Sequence, residues 1–144
     1  MSIVIKALVI DDNKTKRKIV MKGLRYTRLA DFEFSEASDG VEGLVAFNSE
    51  IDMVFIDWYM PNMDGLGFVK QIRKNKDNAH VKLVMCTTNS STGAVVEAID
   101  EAGADAFIRE PFKPEDMRKE LEPLVAEVIE RRKKEGGLIG RLFK

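Results

Sequence analysis

Short runs of apolar, largely β-branched residues alternate along the chain with stretches whose apolar positions recur every three or four residues. The first run, Ile3–Ile10 (IVIKALVI), predicts a buried strand ending in Asp11-Asp12. Asn13–Arg28 predicts a helix with Ile19, Val20, Leu24 and Thr27 on its inner face. Phe32–Ala37 is a second strand, and Asp39-Gly40 turns the chain into a helix through Phe47. Met53–Ile56 is a third strand, led in by Asp52 and closed by Asp57. Asp64–Lys74 is a helix, with Leu66, Val69 and Ile72 close to helical period. Val81–Cys86 is a fourth strand, closed by the polar run Thr87-Thr88-Asn89-Ser90-Ser91. Thr92–Ala102 is a helix with Gly103 as its C-terminal cap, and Ala106–Arg109 is a fifth strand. Pro114 opens a last helix running to about Glu135. Inside it, Pro123 predicts a kink or a restart, and Gly136-Gly137 predicts the end.

Strands alternating with helices imply an α/β fold: a parallel sheet with helices on both faces. The near-continuous apolar runs VIKALVI, MVFI and LVMC fit strands covered on both sides. No linker separates a second domain, so residues 1–135 are expected to form one domain and 136–144 a short apolar and basic tail. The length, 144 residues, suits that reading. Apolar residues at 44% and charged residues at 33% exclude a disordered or membrane-embedded chain. A net charge of -1 advertises no nucleic acid. The single cysteine, Cys86, excludes a disulfide framework and a cysteine-built zinc cage. No apolar stretch approaches the ~20 residues of a membrane span, so no stable membrane insertion is expected. The N-terminus reaches a strand-like run at once without a signal-like core, which points to the cytoplasm.

The chemistry gathers at the strand ends. In an open parallel sheet, ligands collect beyond the carboxyl ends of the strands. There the first strand offers Asp11 and Asp12, the third Asp57, the fourth Thr87 and Thr88, and the fifth Arg109, Glu110, Pro111 and Phe112. Three convergent carboxylates repel one another unless a cation joins them, and a hard cation bound through oxygens, Mg2+, suits such a set. One carboxylate could instead serve as a nucleophile toward a phosphoryl group. Asp39 and Asp64 read more simply as helix N-caps.

The stretch Ile10-Asp11-Asp12-Asn13, taken with Ile56-Asp57-Trp58-Tyr59-Met60-Pro61-Asn62-Met63-Asp64-Gly65, resembles the receiver domain of two-component response regulators. The run after Asp57 is especially similar to stand-alone, chemotaxis-type (CheY-like) receivers. The resemblance spans about residues 4–131 and implies a flavodoxin-like five-stranded sheet in the family's own order, 2-1-3-4-5. It implies that Asp57 is the phosphoacceptor, and that Asp11, Asp12, Asp57 and the backbone carbonyl of Tyr59 hold Mg2+. It implies a hydroxyl contact to the phosphoryl group. Thr88 is preferred, because it lies 15 residues before Gly103 (103 − 88), with Thr87 as the fallback. Phe107 matches the aromatic switch position. The implied function is a response regulator that takes a phosphoryl group from a histidine kinase or phosphotransfer protein and changes its binding to a downstream target. It is not an enzyme beyond assisting its own phosphorylation and dephosphorylation.

One position departs from the pattern. The family places a lysine before the Pro-Phe of the last loop, where this chain has Glu110, at the usual spacing from Thr88 (110 − 88 = 22). A carboxylate facing Asp57 would repel it by a few kcal/mol at ~4 Å in an effective dielectric near 20. Alternation predicts that Arg109 points away and does not substitute. Three readings stand: a working receiver with weaker coupling to its switch, a degenerate receiver that acts through phosphorylation-independent protein interaction, or a Glu110 that points outward from a site completed by a partner.

Two surface features remain. Residues 14–28 carry seven basic side chains and no acid, with Lys14, Lys18, Lys22 and Arg25 on one stripe. The stripe is either a docking face for an acidic kinase or phosphotransfer partner or a solvated face. The tail carries Leu138, Ile139, Leu142 and Phe143 beside Arg141 and Lys144, which leaves a weak homodimer open.

Overall fold

The computed structural model describes residues 3–88 and 91–142, with side chains through Gly136. The strands are β1 (Val4–Ile10), β2 (Asp31–Ala37), β3 (Met53–Ile56), β4 (Lys82–Thr87) and β5 (Ala106–Arg109). All pair in parallel in one sheet of order β2-β1-β3-β4-β5. This is the expected fold. The helices are α1 (Lys14–Thr27), α2 (Gly40–Ala46), α3 (Gly65–Arg73), α4 (Thr92–Val96, continuing as a π-helical segment over Glu97–Ala102) and α5 (Pro114–Leu142).

Alternation along the central strands sends side chains into two separate cores. Ile5, Ala7 and Val9 of β1, with Phe55 of β3 and Val84 of β4, meet Val20 and Leu24 of α1 and Met117, Leu121 and Val125 of α5. Leu8, Ile10, Ile56 and Met85 meet Phe68, Val69 and Ile72 of α3 and Ala94 and Ala98 of α4. Burial on both faces explains why these strands carry unbroken apolar runs. The helix starts follow local chemistry: Asn13, Asp39, Asp64 and Ser91 each cap a helix by accepting a backbone N–H of its first turn.

Four expectations change. Ile19 is exposed rather than internal, because the sheet side of α1 is filled by Val20, Gly23, Leu24 and Thr27. β4 extends one residue further than the sequence suggests and includes Thr87. The last helix runs through Pro123 without a restart. Pro123 and Lys119, whose carbonyl loses its donor, both lie on the exposed side, where water can serve. The helix also runs past Gly136-Gly137 to Leu142. Glycine weakens a helix by about 1 kcal/mol against alanine but keeps its N–H, and extending a formed helix adds one bond per residue. The apolar face expected of the tail falls on side chains outside the described residues.

At the opposite end of the sheet from the strand termini, α5 is clamped to Asp52. Its carboxylate, 2% exposed, accepts from Arg131 at 2.5 Å, Arg132 at 2.6 Å and the Lys6 backbone N–H at 2.9 Å.

Candidate functional site

The strand ends converge as the topology requires. Asp57 follows β3 and is held in register with β1, its backbone N–H donating to the Ile10 carbonyl at 3.0 Å. Gly65 opens α3 directly against it. A Cβ there would stand 2.2 Å from the Asp57 carbonyl oxygen, so only glycine admits this approach. Asp11, Asp12 and Asp57 each present a carboxylate oxygen, and these lie within 4.8 Å of one another. Asp11 and Asp57 are buried, and Asp12 is exposed. Three hard oxygen donors, one open to solvent, form a set suited to a hydrated divalent cation.

The electrostatics reflect that crowding. Burial, and then the neighbouring Asp57 charge, push the Asp11 carboxyl up to about 6, against the pull of the Asn13 N–H that donates to it at 2.9 Å. Burial raises Asp57 as well. Lys16, the Trp58 N–H at 2.8 Å and a hydrogen bond from the Thr87 hydroxyl oppose it. Glu110 points inward, with its side chain 12% exposed, so the outward-facing reading is corrected. One carboxylate oxygen, Oε1, is buried without a hydrogen-bond partner. The other, Oε2, lies 3.9 Å from Lys16 Nζ. Burial first, and then Asp57 and Asp11, push Glu110 up to about 7.

The two hydroxyls exchange places relative to the expectation. Thr87 is 1% exposed and bonds Asp57, while Thr88 is exposed to solvent. Counting back from Gly103 misleads because α4 continues as the π-helical segment Glu97–Ala102. Closing i→i+5 bonds rather than i→i+4, that segment holds an extra residue over the same length. Thr87 shares a sheet face with Leu83 and Met85, and Met85 is in register with Phe107 on β5. Phe107 is half-buried and lines a cleft of about 580 Å³ with Val95, Ile99, Arg109, Lys119 and Glu120. Arg109 is exposed there, away from the carboxylates, as alternation predicts. The Tyr59 ring is 60% exposed and stacked on the buried Trp58, with ring centres 6.1 Å apart.

A family model for the response regulator receiver domain matches residues 7–122. The chain belongs to this family. It is 35% identical over 122 residues to a chemotaxis protein CheY homolog of Campylobacter jejuni, covering 83% of this chain and 92% of that protein. It is 34% identical to chemotaxis protein CheY1 of Helicobacter pylori, covering 81% and 94%. The structure of Vibrio cholerae CheY4 superposes with a TM-score of 0.73 at 30% identity, covering 85% of this chain and 99% of that one.

One residue of this receiver site escapes sequence reading. Lys16, on the first turn of α1, is the cation whose charge acts on Asp57, Asp11 and Glu110 alike. A faint signal existed: Lys14 and Lys16 occupy a first turn that contains no acid. The partial positive charge of a helix N-terminus disfavours lysine there. Elsewhere on α1, Arg17 bonds Glu36 at 3.0 Å, and Arg25 stacks over Phe34 at 4.8 Å, so Arg25 is partly committed within the fold. Cys86 is buried and its thiol is raised by that burial, consistent with an inert core residue. Among the described residues, no helix is long and apolar enough to cross a membrane.

Proposed function

We propose that this receiver is a phosphorylation switch whose phosphoacceptor is Asp57. The observation that carries the proposal is a buried Asp57 at the end of β3, within 4.8 Å of Asp11 and Asp12 and hydrogen-bonded by Thr87. The donor is a phosphohistidine of a kinase or phosphotransfer protein. A carboxylate oxygen of Asp57 attacks phosphorus in line, the N–P bond breaks, and its electron pair returns to the imidazole. Asp11, Asp12 and Asp57, with the Tyr59 carbonyl, would hold Mg2+, which supplies charge neutralisation for the phosphoryl oxygens. Thr87 donates its hydroxyl to one of those oxygens. Moving Thr87 toward the new dianion alters the packing on its sheet face, and Phe107 and the α4–β5–α5 cleft follow, changing affinity for a target protein. The protein acts only on its own acyl phosphate, and chemotaxis is the response its relatives' names suggest.

Glu110 supports a second reading. An inward carboxylate with an unpartnered oxygen suits a module that binds its partner without phosphorylation. Intact-mass spectrometry after incubation with a small acyl phosphate separates the two. A Mg2+-dependent gain of one phosphoryl group, absent in Asp57→Asn, is expected. No gain by the folded parent under any condition would overturn the switch reading and favour either the binding module or a site that a partner must complete.

A further inference from the structure

The family's lysine is missing from the β5–α5 loop, yet the phosphoryl group proposed for Asp57 still needs a fixed positive charge beside it. We infer that Lys16 of α1 supplies that charge, and that Glu110 holds the lysine at the pocket until Asp57 is phosphorylated. This inference rests on the phosphoacceptor reading above.

Three observations converge on Lys16. Its backbone N–H is fixed by the Asn13 side chain at 3.0 Å, so its backbone is anchored in the first turn of α1, directly after the loop that carries Asp11 and Asp12. Its ammonium lies 3.9 Å from Glu110 Oε2, too far for a hydrogen bond but within ion-pair range, and its side chain is 41% exposed. A half-exposed lysine on a long tether, loosely paired, can move by a few ångströms at little cost. Its charge also falls on Asp57 as the largest influence opposing burial there.

The positions of the two charges also explain each other. Lysine in the first turn of a helix opposes the macrodipole, and a buried carboxylate with an unpartnered oxygen carries a desolvation cost. Each relieves part of the other's cost. Seen this way, the charge at Glu110 is inverted relative to the family because the cation has moved to α1.

In the transfer step, an Asp57 carboxylate oxygen bonds to phosphorus. With acetyl phosphate as the donor used in the test, the phosphorus–oxygen bond to its acetyl group breaks, and acetate leaves with that electron pair. The Asp57 side chain passes from one negative charge toward two. The stronger anion draws Lys16 from Glu110, so the lysine contacts phosphoryl oxygens only in the product and the transition state leading to it.

The test compares the parent with Lys16→Met, Lys16→Met/Glu110→Lys and a remote control, Lys74→Met on the exposed end of α3. Each is incubated with acetyl phosphate and Mg2+, and phosphoryl gain is followed by intact mass. Mg2+ binding without donor is titrated separately through Trp58 fluorescence. Lys16→Met should slow phosphoryl gain roughly tenfold or more, as loss of a transition-state partner does. It should at the same time tighten Mg2+ binding, because a cation has left an acidic pocket. Opposite movement of the two readouts distinguishes this role from general damage to the fold. The double variant should recover the rate, and Lys74→Met should match the parent. If Lys16→Met phosphorylates at the parent rate, or if it slows while Mg2+ binding weakens, the assignment of Lys16 is wrong and Asp57 stands. If the parent itself gains nothing, the phosphoacceptor reading and this inference fail together.

Discussion

Replacing Glu110 with glutamine should stabilise the metal-free protein at pH 8 and leave it nearly unchanged at pH 4.5. Glutamine keeps the shape and removes the charge. The folded protein raises the Glu110 carboxyl from 4.5 to about 7, so the native state binds that proton more tightly than the unfolded chain does. The sign follows: the group's favourable contribution is complete below about 4.5 and is lost as pH rises through 7. The full difference corresponds to about 3 kcal/mol at 1.36 kcal/mol per pH unit. Solvent screening at the open edge of the pocket trims it to about 2 kcal/mol. The groups facing Glu110 are Asp11 after β1, Asp57 after β3 and Lys16 on α1. Asp11, pushed up to about 6, adds a contribution of the same sign to both proteins and largely cancels in the comparison. The assay is urea unfolding in EDTA, followed by the fluorescence of Trp58, the only tryptophan. At pH 8 the midpoint of Glu110→Gln should exceed the parent's by roughly 1 M urea. Added Mg2+ should narrow the gap by neutralising the pocket. A difference that stays flat from pH 4.5 to 8, or a parent more stable than the variant at pH 8, would refute the placement of Glu110 among the carboxylates.

Four further outcomes are expected. Thr87→Ala should slow gain and loss of the phosphoryl group roughly tenfold or more in a mass time course, while Thr88→Ala behaves as the parent, since only Thr87 bonds Asp57. Asp52→Ala should cost about 3 kcal/mol in urea unfolding, because it strips Arg131 and Arg132 of a shared acceptor; Arg132→Met, which leaves the other pair intact, should cost about 1 kcal/mol. Gly65→Ala should lose about 1–3 kcal/mol and weaken Mg2+ binding by fluorescence titration, because its new Cβ pushes on the Asp57 carbonyl. Glu110→Lys should weaken Mg2+ binding in the same titration; tighter binding would show that Glu110 does not favour the divalent ion.

Much of this protein was legible in one dimension because its central strands are buried on both faces. A run such as Met53–Ile56 stands out without reference to anything distant, and the structure keeps its bounds, as it does those of the edge strand Ala106–Arg109. Capping chemistry at Asn13, Asp39 and Asp64 is equally local, so the helix starts were readable too. Parallel topology then forces the strand ends onto one rim, which is why Asp11, Asp12 and Asp57 could be grouped before any coordinates. Even the odd position of Glu110 was visible as a residue type.

What the sequence could not determine were facts about direction and distance. Whether Glu110 faced the pocket or solvent depends on the turn out of β5. Which of two adjacent threonines reaches Asp57 depends on where β4 stops, and the count back from Gly103 is shifted by the π-helical segment Glu97–Ala102. Lys16 looks like one of seven basic residues between positions 14 and 28, and only the packing of α1 against β1 and α5 brings its ammonium within 3.9 Å of Glu110. Likewise Asp52 reads as a strand leader, and only the length of α5 delivers two arginines to it across about eighty residues of chain. Hydrophobic period and capping are short-range and written in neighbouring residues. The balance of charge in this pocket comes from four separate segments and exists only once the sheet and its helices have closed around it.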